Sequence, residues 1–206
     1  MTEQDHPTGL RDRLVAAGVE LLALEGVHAL TLREIARQAG VSHGAPRRYF
    51  ATHAELLAAI ARHGFGELAD ALGLRGSDAA TAVHGPAEAR TRLERLARDY
   101  LAFAADRAGM FELMFRHDVL EGSGTGLRAT SLPLFDALTR LVAEVHPATG
   151  TADGPDPTAV AAALWANLHG LAQLRAWGSL GLATGTDALG PVLRATLDAH
   201  LGPGPR

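Results

Sequence analysis

Between Thr31 and His53 the chain reads TLREIARQAGVSHGAPRRYFATH, a stretch that carries four guanidinium groups, Arg33, Arg37, Arg47 and Arg48, against the single carboxylate of Glu34. Four against one is a local charge of +3, in a chain whose formal net charge is −4. Planar guanidinium forks set among the hydroxyl of Ser42, the imidazole of His43 and the phenol of Tyr49 are donors suited to phosphate oxygens. The chemistry such a set supports is recognition of an anionic polymer. Ordinary surface arginines on a solvated helical pair would give the same charge. What separates the two readings is the order of caps and turns that positions the charges.

Thr31 has the side chain of a helix N-cap, and Glu34 three residues later completes a capping box. A helix therefore opens at Leu32 and places Leu32, Ile35, Ala36 and Ala39 on one face. Gly40 ends it, because glycine takes the left-handed conformation at a helix C-terminus, and Val41 can then pack back on the helix just left. Ser42 is expected to cap a second helix, with His43, Arg47, Arg48 and Tyr49 outward and Phe50 inward. The small side chain of Ala36 lets that helix cross closely. Two short helices around a glycine corner are the build of a helix-turn-helix, whose second helix enters the major groove of DNA.

The run TLREIARQAGVSHGAPRRYFATHAELLAAIA resembles the DNA-binding domain of the TetR/AcrR-type bacterial transcriptional regulators over about 50 residues. The resemblance implies that Thr31, Ser42, Gly44, Arg47, Tyr49 and His53 face DNA, mostly its phosphates. Two departures from the family pattern stand out. The family usually has Lys at position 53 and often an aromatic residue at 47, where this chain has His53 and Arg47. A histidine there makes a pH-dependent phosphate contact, because imidazole ordinarily titrates at about 6.5. Pro46 replaces the usual Leu or Tyr; in the first turn of a helix its missing N–H costs little.

The rest of the composition describes an all-α protein. The 206 residues suffice for a small domain plus a larger one. Its 23 glycines and 10 prolines cluster between periodic segments. Cysteine is absent, which excludes disulfides and thiolate metal sites. All 19 basic residues are Arg. The first nine residues, MTEQDHPTG, are not those of a secretion signal, and no run reaches the roughly 18 apolar residues of a membrane span, so the cytoplasm is the expected compartment.

In chain order, Leu10 to Glu25 forms a first helix through Leu14, Val15, Gly18, Leu21, Leu22 and Glu25, and Gly26 ends it. The family resemblance implies that this helix braces the reading unit, with Val27 and Leu30 packed below it. Thr52 and Glu55 form another capping box that opens a long helix to about Leu74, with Leu56, Leu57, Ile60 and Phe65 inward. The expected division is a helix-turn-helix domain over 9–53, a linking helix over 54–74, and a ligand-binding and dimerisation domain over 75–202. Arg75 to Pro86 reads as a connection. Ala87 to Ala105 sets Leu93, Leu96, Ala97, Tyr100, Leu101 and Ala104 on one face, and a short apolar piece, Met110 to Phe115, follows Gly109.

The glycine-rich loop at Gly122, Gly124 and Gly126 has part of the spacing of a phosphate cradle, but no strand precedes it as such a site requires. Helices are then expected over Leu127 to Val145, Pro157 to Leu180 and Asp187 to His200. The second of these carries Val160, Leu164, Leu168, Leu171 and Leu174 on one stripe and the small residues Ala162, Ala166 and Gly170 on another. The last offers Leu189, Val192, Leu193, Thr196, Leu197 and Leu201. These last two helices hold more apolar surface than one copy needs, so pairing with a twin in an isologous four-helix interface is expected, as in regulators of the TetR type. The run LWANLHGLAQL resembles the Trp and His-Gly pattern of one of their C-terminal domain types.

Dimerisation would place two reading heads about 34 Å apart on a near-palindromic DNA operator. The resemblance implies a homodimeric regulator, a repressor switched by a small-molecule effector inside the C-terminal body. Met110, Phe111, Met114, Phe115, Trp165, His169 and Trp177 are the candidate walls for an apolar or aromatic effector, although Met and Phe at helical spacing more often form core. The ten histidines form no His-x-x-x-His and no tight cluster with carboxylates. Neither a metal, a cofactor nor a Gly-x-Ser-x-Gly hydrolase elbow is expected. A helical small-molecule-binding protein without sequence-specific DNA binding is the alternative.

Overall fold

Ten α-helices and two 3₁₀ turns, with no strand, make up the described residues of the computed structural model, which are 9–75, 85–120, 126–146 and 155–204. The helices are α1 (Leu10–Glu25), α2 (Leu32–Gln38), α3 (His53–Ala71), α4 (Pro86–Asp106), α5 (Ala108–Met114), α6 (His117–Leu120), α7 (Arg128–Val145), α8 (Pro157–Ala176), α9 (Ser179–Thr184) and α10 (Leu189–Leu201). The 3₁₀ turns are Val27–Ala29 and Pro46–Arg48. The protein is all-α, as its periodicity predicts. Parts of the glycine-rich loop after Leu120 and of the connection after Arg75 lie outside the described residues.

Two compact units emerge, one within Met1–Phe65 and Gly109–Arg128, the other within Gly66–Ala108 and Ala129–Arg206. In the first, α1 buries Leu14, Ala17, Gly18, Leu21 and Leu22. A Cβ at Gly18 would overlap the Ile60 side chain, so this glycine, costly inside a helix, leaves the room on α1 that Ile60 of α3 fills. Met110, Phe111, Leu113 and Met114 are buried in the same unit. Phe115 meets Phe65 and Phe111 edge to face, with centroids 5.8 and 5.0 Å apart. A Cβ at Gly64 would collide with Met110 and Met114, so α5 seats its methionines in the gap this glycine leaves.

In the second unit α4 packs on α8, and α10 on both. The predicted inner face of α4 is buried at every position named, from Leu93 to Ala104. Asp156 caps α8, its carboxylate accepting from the Thr158 N–H at 3.0 Å, and Pro157 takes the first helical position. Expected to run to Leu180, α8 stops at Ala176 instead. Gly178 turns left-handed at φ 71°, and the chain restarts as α9. The last helix begins at Leu189, two residues later than Asp187, without a side-chain cap.

Arg90 of α4 is buried in this unit, and its guanidinium ends on the last turn of α10. Nη2 donates to Asp198 at 2.5 Å and Nε to Glu94 at 3.2 Å, while Nη1 donates to the carbonyl of Gly202 and, at 3.5 Å, to that of Leu201. A cation at the C-terminus of a helix satisfies otherwise unpaired carbonyls and opposes the negative end of the helix dipole. Arg92 does the same for α3, donating to the carbonyls of Leu72 and Gly73 at 3.0 and 3.1 Å.

Candidate nucleic-acid interface

The corner between α2 and the following turn is built by local chemistry. The Thr31 hydroxyl accepts from the Glu34 N–H at 3.2 Å, so the N-cap forms as predicted. The reciprocal half of the capping box does not: the Thr31 N–H donates to the Ala29 carbonyl, and the Glu34 carboxylate accepts from Arg37 at 2.6 Å. That bond and the charge behind it raise the Arg37 guanidinium pKa. At the other end Gly40 has φ 67°, its N–H donates to Arg37 at 3.1 Å, and the Val41 N–H reaches the Ala36 carbonyl at 3.0 Å. This paired closure is the Schellman arrangement that a left-handed residue permits.

The second element departs from expectation. No helix opens at Ser42 under a hydroxyl cap; the Ser42 carbonyl accepts from the Ala45 N–H at 2.9 Å, and the chain continues as the 3₁₀ turn Pro46–Arg48. Proline explains this. Without an N–H, Pro46 cannot donate to the Ser42 carbonyl as an α-helix would require, and tight turns carry the chain instead. Ala45 and Pro46 are buried, and the Phe50 N–H donates to the Pro46 carbonyl at 2.9 Å, which seals Phe50 inward at 3% exposure.

Every residue predicted to face DNA, namely Thr31, Arg33, Ser42, His43, Gly44, Arg47, Arg48, Tyr49 and His53, is exposed. The Tyr49 ring is 45% exposed, a large aromatic residue left uncovered beside two arginines. Arg37 is neutralised by Glu34, whereas Arg33, Arg47 and Arg48 have no ion pair with any described residue. The local charge of +3 therefore resides on those three side chains.

His53 is tied to the chain before α2. Its Nε2 lies 2.6 Å from the Leu30 carbonyl, 23 residues away in sequence. Nε2–H donates to that carbonyl, which fixes the ring against the segment leading into α2 and leaves Nδ1 as the nitrogen able to meet an outside group. Thr52 caps α3 through its hydroxyl, accepting from the Glu55 N–H at 3.1 Å, while the Glu55 carboxylate holds the Ala51 N–H at 2.7 Å. Braces from α1 complete the unit: Arg13 donates to the Ala39 carbonyl at 3.0 Å, and Gln38 donates to Glu20 at 3.1 Å. Sequence spacing carries no signal for these long-range bonds.

The seven residues expected to line an effector site fall into the two units. Met110, Phe111, Met114 and Phe115 belong to the first, where the first three are core. Trp165, His169 and Trp177 belong to the second, with Trp165 39% and Trp177 70% exposed. Around Trp165 and His169 the structure adds two residues not anticipated there. Phe135 of α7 meets the Trp165 ring edge to face at 6.3 Å, and the Tyr100 hydroxyl of α4 accepts from the Trp165 indole N–H at 3.3 Å. The same hydroxyl lies 3.0 Å from His169 Nδ1.

Burial pushes the Tyr100 phenol well above its ordinary range and the His169 imidazolium below its own, so both stay neutral near pH 7. The Gln173 amide N–H donates to His169 Nε2 at 3.5 Å, so the neutral ring carries its proton on Nδ1 and donates it to the Tyr100 hydroxyl. Tyr100 was legible as core from its period; its pairing with a residue 69 positions later was not.

Among the described residues no group of His and carboxylates is placed to hold a metal, and no helix is long and apolar enough to cross a membrane.

Comparison with known proteins agrees with this geometry. Residues 14–60 match the bacterial regulatory proteins of the tetR family, and residues 93–199, a little over half of the chain, match the tetracyclin repressor-like C-terminal domain. The HTH-type transcriptional regulator BetI of Rhizobium meliloti (strain 1021) is 36% identical over 97 residues, a match that covers 47% of this chain and less than half, 43%, of that regulator. A solved protein of unknown function from Rhodococcus sp. RHA1 is 31% identical, with a TM-score of 0.74 and 97% of each chain covered. BioQ, solved with its double-stranded DNA operator, has the same fold at 20% identity and a TM-score of 0.62, covering 93% of this chain and 97% of its own. Matched from the reading unit through most of the helical body, this chain belongs to the tetR family of bacterial regulatory proteins.

Proposed function

We propose that the protein is a ligand-responsive, homodimeric transcriptional repressor of the cytoplasm, which binds a near-palindromic operator and leaves it when a small apolar or aromatic effector enters the C-terminal unit. The observation that carries the reading is the Thr31–Phe50 corner. A capped helix, a left-handed glycine and a tight turn hold Arg33, Arg47 and Arg48 outward, free of carboxylates among the described residues. Cations kept unpaired on a rigid frame are what a phosphate backbone requires. BioQ, a structural neighbour, carries DNA on the same fold.

One head spans only a few base pairs, so two heads related by a twofold axis are needed for an operator of useful specificity. The second copy is assigned to α8 and α10. Ala162 and Ala166 of the small-residue stripe are exposed, and Leu174 and Trp177 stand open on the same helix and its end. The effector is assigned to the neighbourhood of Trp165, His169, Tyr100 and Phe135, aromatic walls with one imidazole for orientation.

Footprinting on the DNA upstream of the protein's own gene tests the reading. A protected region with twofold symmetry is expected, weakened across all sequences by Arg47→Ala or Tyr49→Ala. An asymmetric single half-site would remove the dimer from the proposal. Affinity unchanged by both substitutions would remove these contacts.

A further inference from the structure

The mechanism above uses Arg33, Arg47 and Arg48, yet a fourth guanidinium is held against the same corner. Arg11, in the first turn of α1, places its guanidinium carbon 4.9 Å from the centroid of the Phe50 ring. Phe50 is a fixed point of the reading turn, 3% exposed and bonded through its N–H to Pro46. Its chain neighbours are Tyr49, exposed beside Arg47 and Arg48, and Ala51, which leads into α3 at His53.

We propose that Arg11 is a further phosphate contact of the DNA-binding surface, positioned by the Phe50 ring and lying outside the helix-turn-helix. The proposal rests on the DNA-binding reading above.

Three features support it. A cation in the first turn of a helix opposes the positive end of the dipole, so its placement in α1 gives no local benefit. Arg11 is exposed and has no ion pair or hydrogen bond with any described residue, whereas Arg13, two positions on, is committed to the Ala39 carbonyl. Finally, contact with an aromatic face leaves all five N–H donors of a guanidinium available to an oxyanion. The charged groups nearest in the chain to Arg11 and Phe50 are Asp12 and Arg13 on α1, Arg47 and Arg48 on the reading turn, and His53 and Glu55 on α3. Glu55 is occupied by the Ala51 N–H.

The bland role for Arg11 is a lid over Phe50, and the two roles differ in salt dependence. Binding of wild type, Arg11→Gln and Arg11→Lys is measured by fluorescence anisotropy across a salt series. The probes are a labelled duplex from upstream of the gene and a scrambled duplex. Each phosphate neutralised contributes about 0.9 to the slope of log K against log salt. Because both copies of the dimer lose the contact, Arg11→Gln is expected to flatten the slope by about twice that amount, about 1.8, on both duplexes and to weaken binding by roughly tenfold or more at low salt. Arg11→Lys is expected to restore most of the slope, with the melting temperature of either variant little changed. A slope unchanged in Arg11→Gln, in a protein whose slope does fall in Arg47→Ala, overturns the proposal and leaves the DNA reading intact. A wild type that binds neither duplex at low salt overturns both.

Discussion

Replacing Arg90 with methionine tests whether one buried guanidinium holds the C-terminal helix in place. Arg90 is 6% exposed; it bonds Glu94 on its own helix and joins α4 to Asp198 and the carbonyls at the end of α10. Methionine fills much of the same volume and removes every donor. Deleting one partner of a buried charged pair costs about 3–5 kcal/mol, because the other partner stays behind without compensation. Here the carboxylates left behind are 34% and 38% exposed, so water recovers part of their solvation and the low end applies, about 3 kcal/mol. For a chain of this size that corresponds to a fall in melting temperature of roughly 6–12 °C.

Thermal unfolding followed by far-ultraviolet circular dichroism reads the effect directly. Arg90→Lys, which keeps the charge but not the fork, should fall between the two. A loss below about 1 kcal/mol for Arg90→Met would refute the reasoning, since it would place this network among exposed ion pairs of small effect. Asp198→Asn, which keeps one acceptor for Nη2, should cost less than the methionine variant.

Gly40→Ala should destabilise the first unit by about 1 kcal/mol or more in urea titration, because φ 67° is strained for any residue with a Cβ even though nothing lies within 4 Å of one placed there. His169 supplies a pH test. Its native pKa is depressed by burial, so on acidification the unfolded chain takes up a proton before the folded one. The stability it contributes is full above the ordinary imidazole value of about 6.5 and is lost progressively as pH falls below it. Melting curves between about pH 8 and 5 should show that loss in wild type and a flatter profile in His169→Gln, which retains a hydrogen-bonding tip that does not titrate. Combining Arg47→Ala with Arg48→Ala removes two contacts from each copy of the dimer and should lower the salt slope of DNA binding by about 3.6, against about 1.8 for either alone; a slope equal to that of either single variant would mean that only one of them meets phosphate.

The features legible in the sequence were those whose cause is local. Thr31, Thr52 and Gly40 act within five residues of their partners, and each does what its neighbours predict. The face of α4 was readable because burial follows the helical period. Misreadings arose where two local preferences compete. Glu34 had a choice between the Thr31 N–H and the Arg37 guanidinium, and the charged partner won. Pro46 suits the first turn of a helix by its fixed backbone angle, yet its missing N–H removes the bond that would have made an α-helix of the reading element. The end of α8 was hidden because an apolar pattern resumes in α9 beyond Gly178. Contacts such as His53 with Leu30, Arg13 with Ala39 and Tyr100 with His169 join positions 23 to 69 apart, and nothing in spacing announces them.

The chain has two tryptophans, and both sit on α8 or at its end. Intrinsic fluorescence excited in the indole band is therefore a private signal of the C-terminal unit, silent about the reading head. Because one indole is bonded to Tyr100 and the other stands 70% open to water, a compound entering near the first and a second copy closing over the other should shift the emission separately. Effector capture and self-association can thus be followed in the unlabelled protein, with Trp165→Phe and Trp177→Phe telling one event from the other.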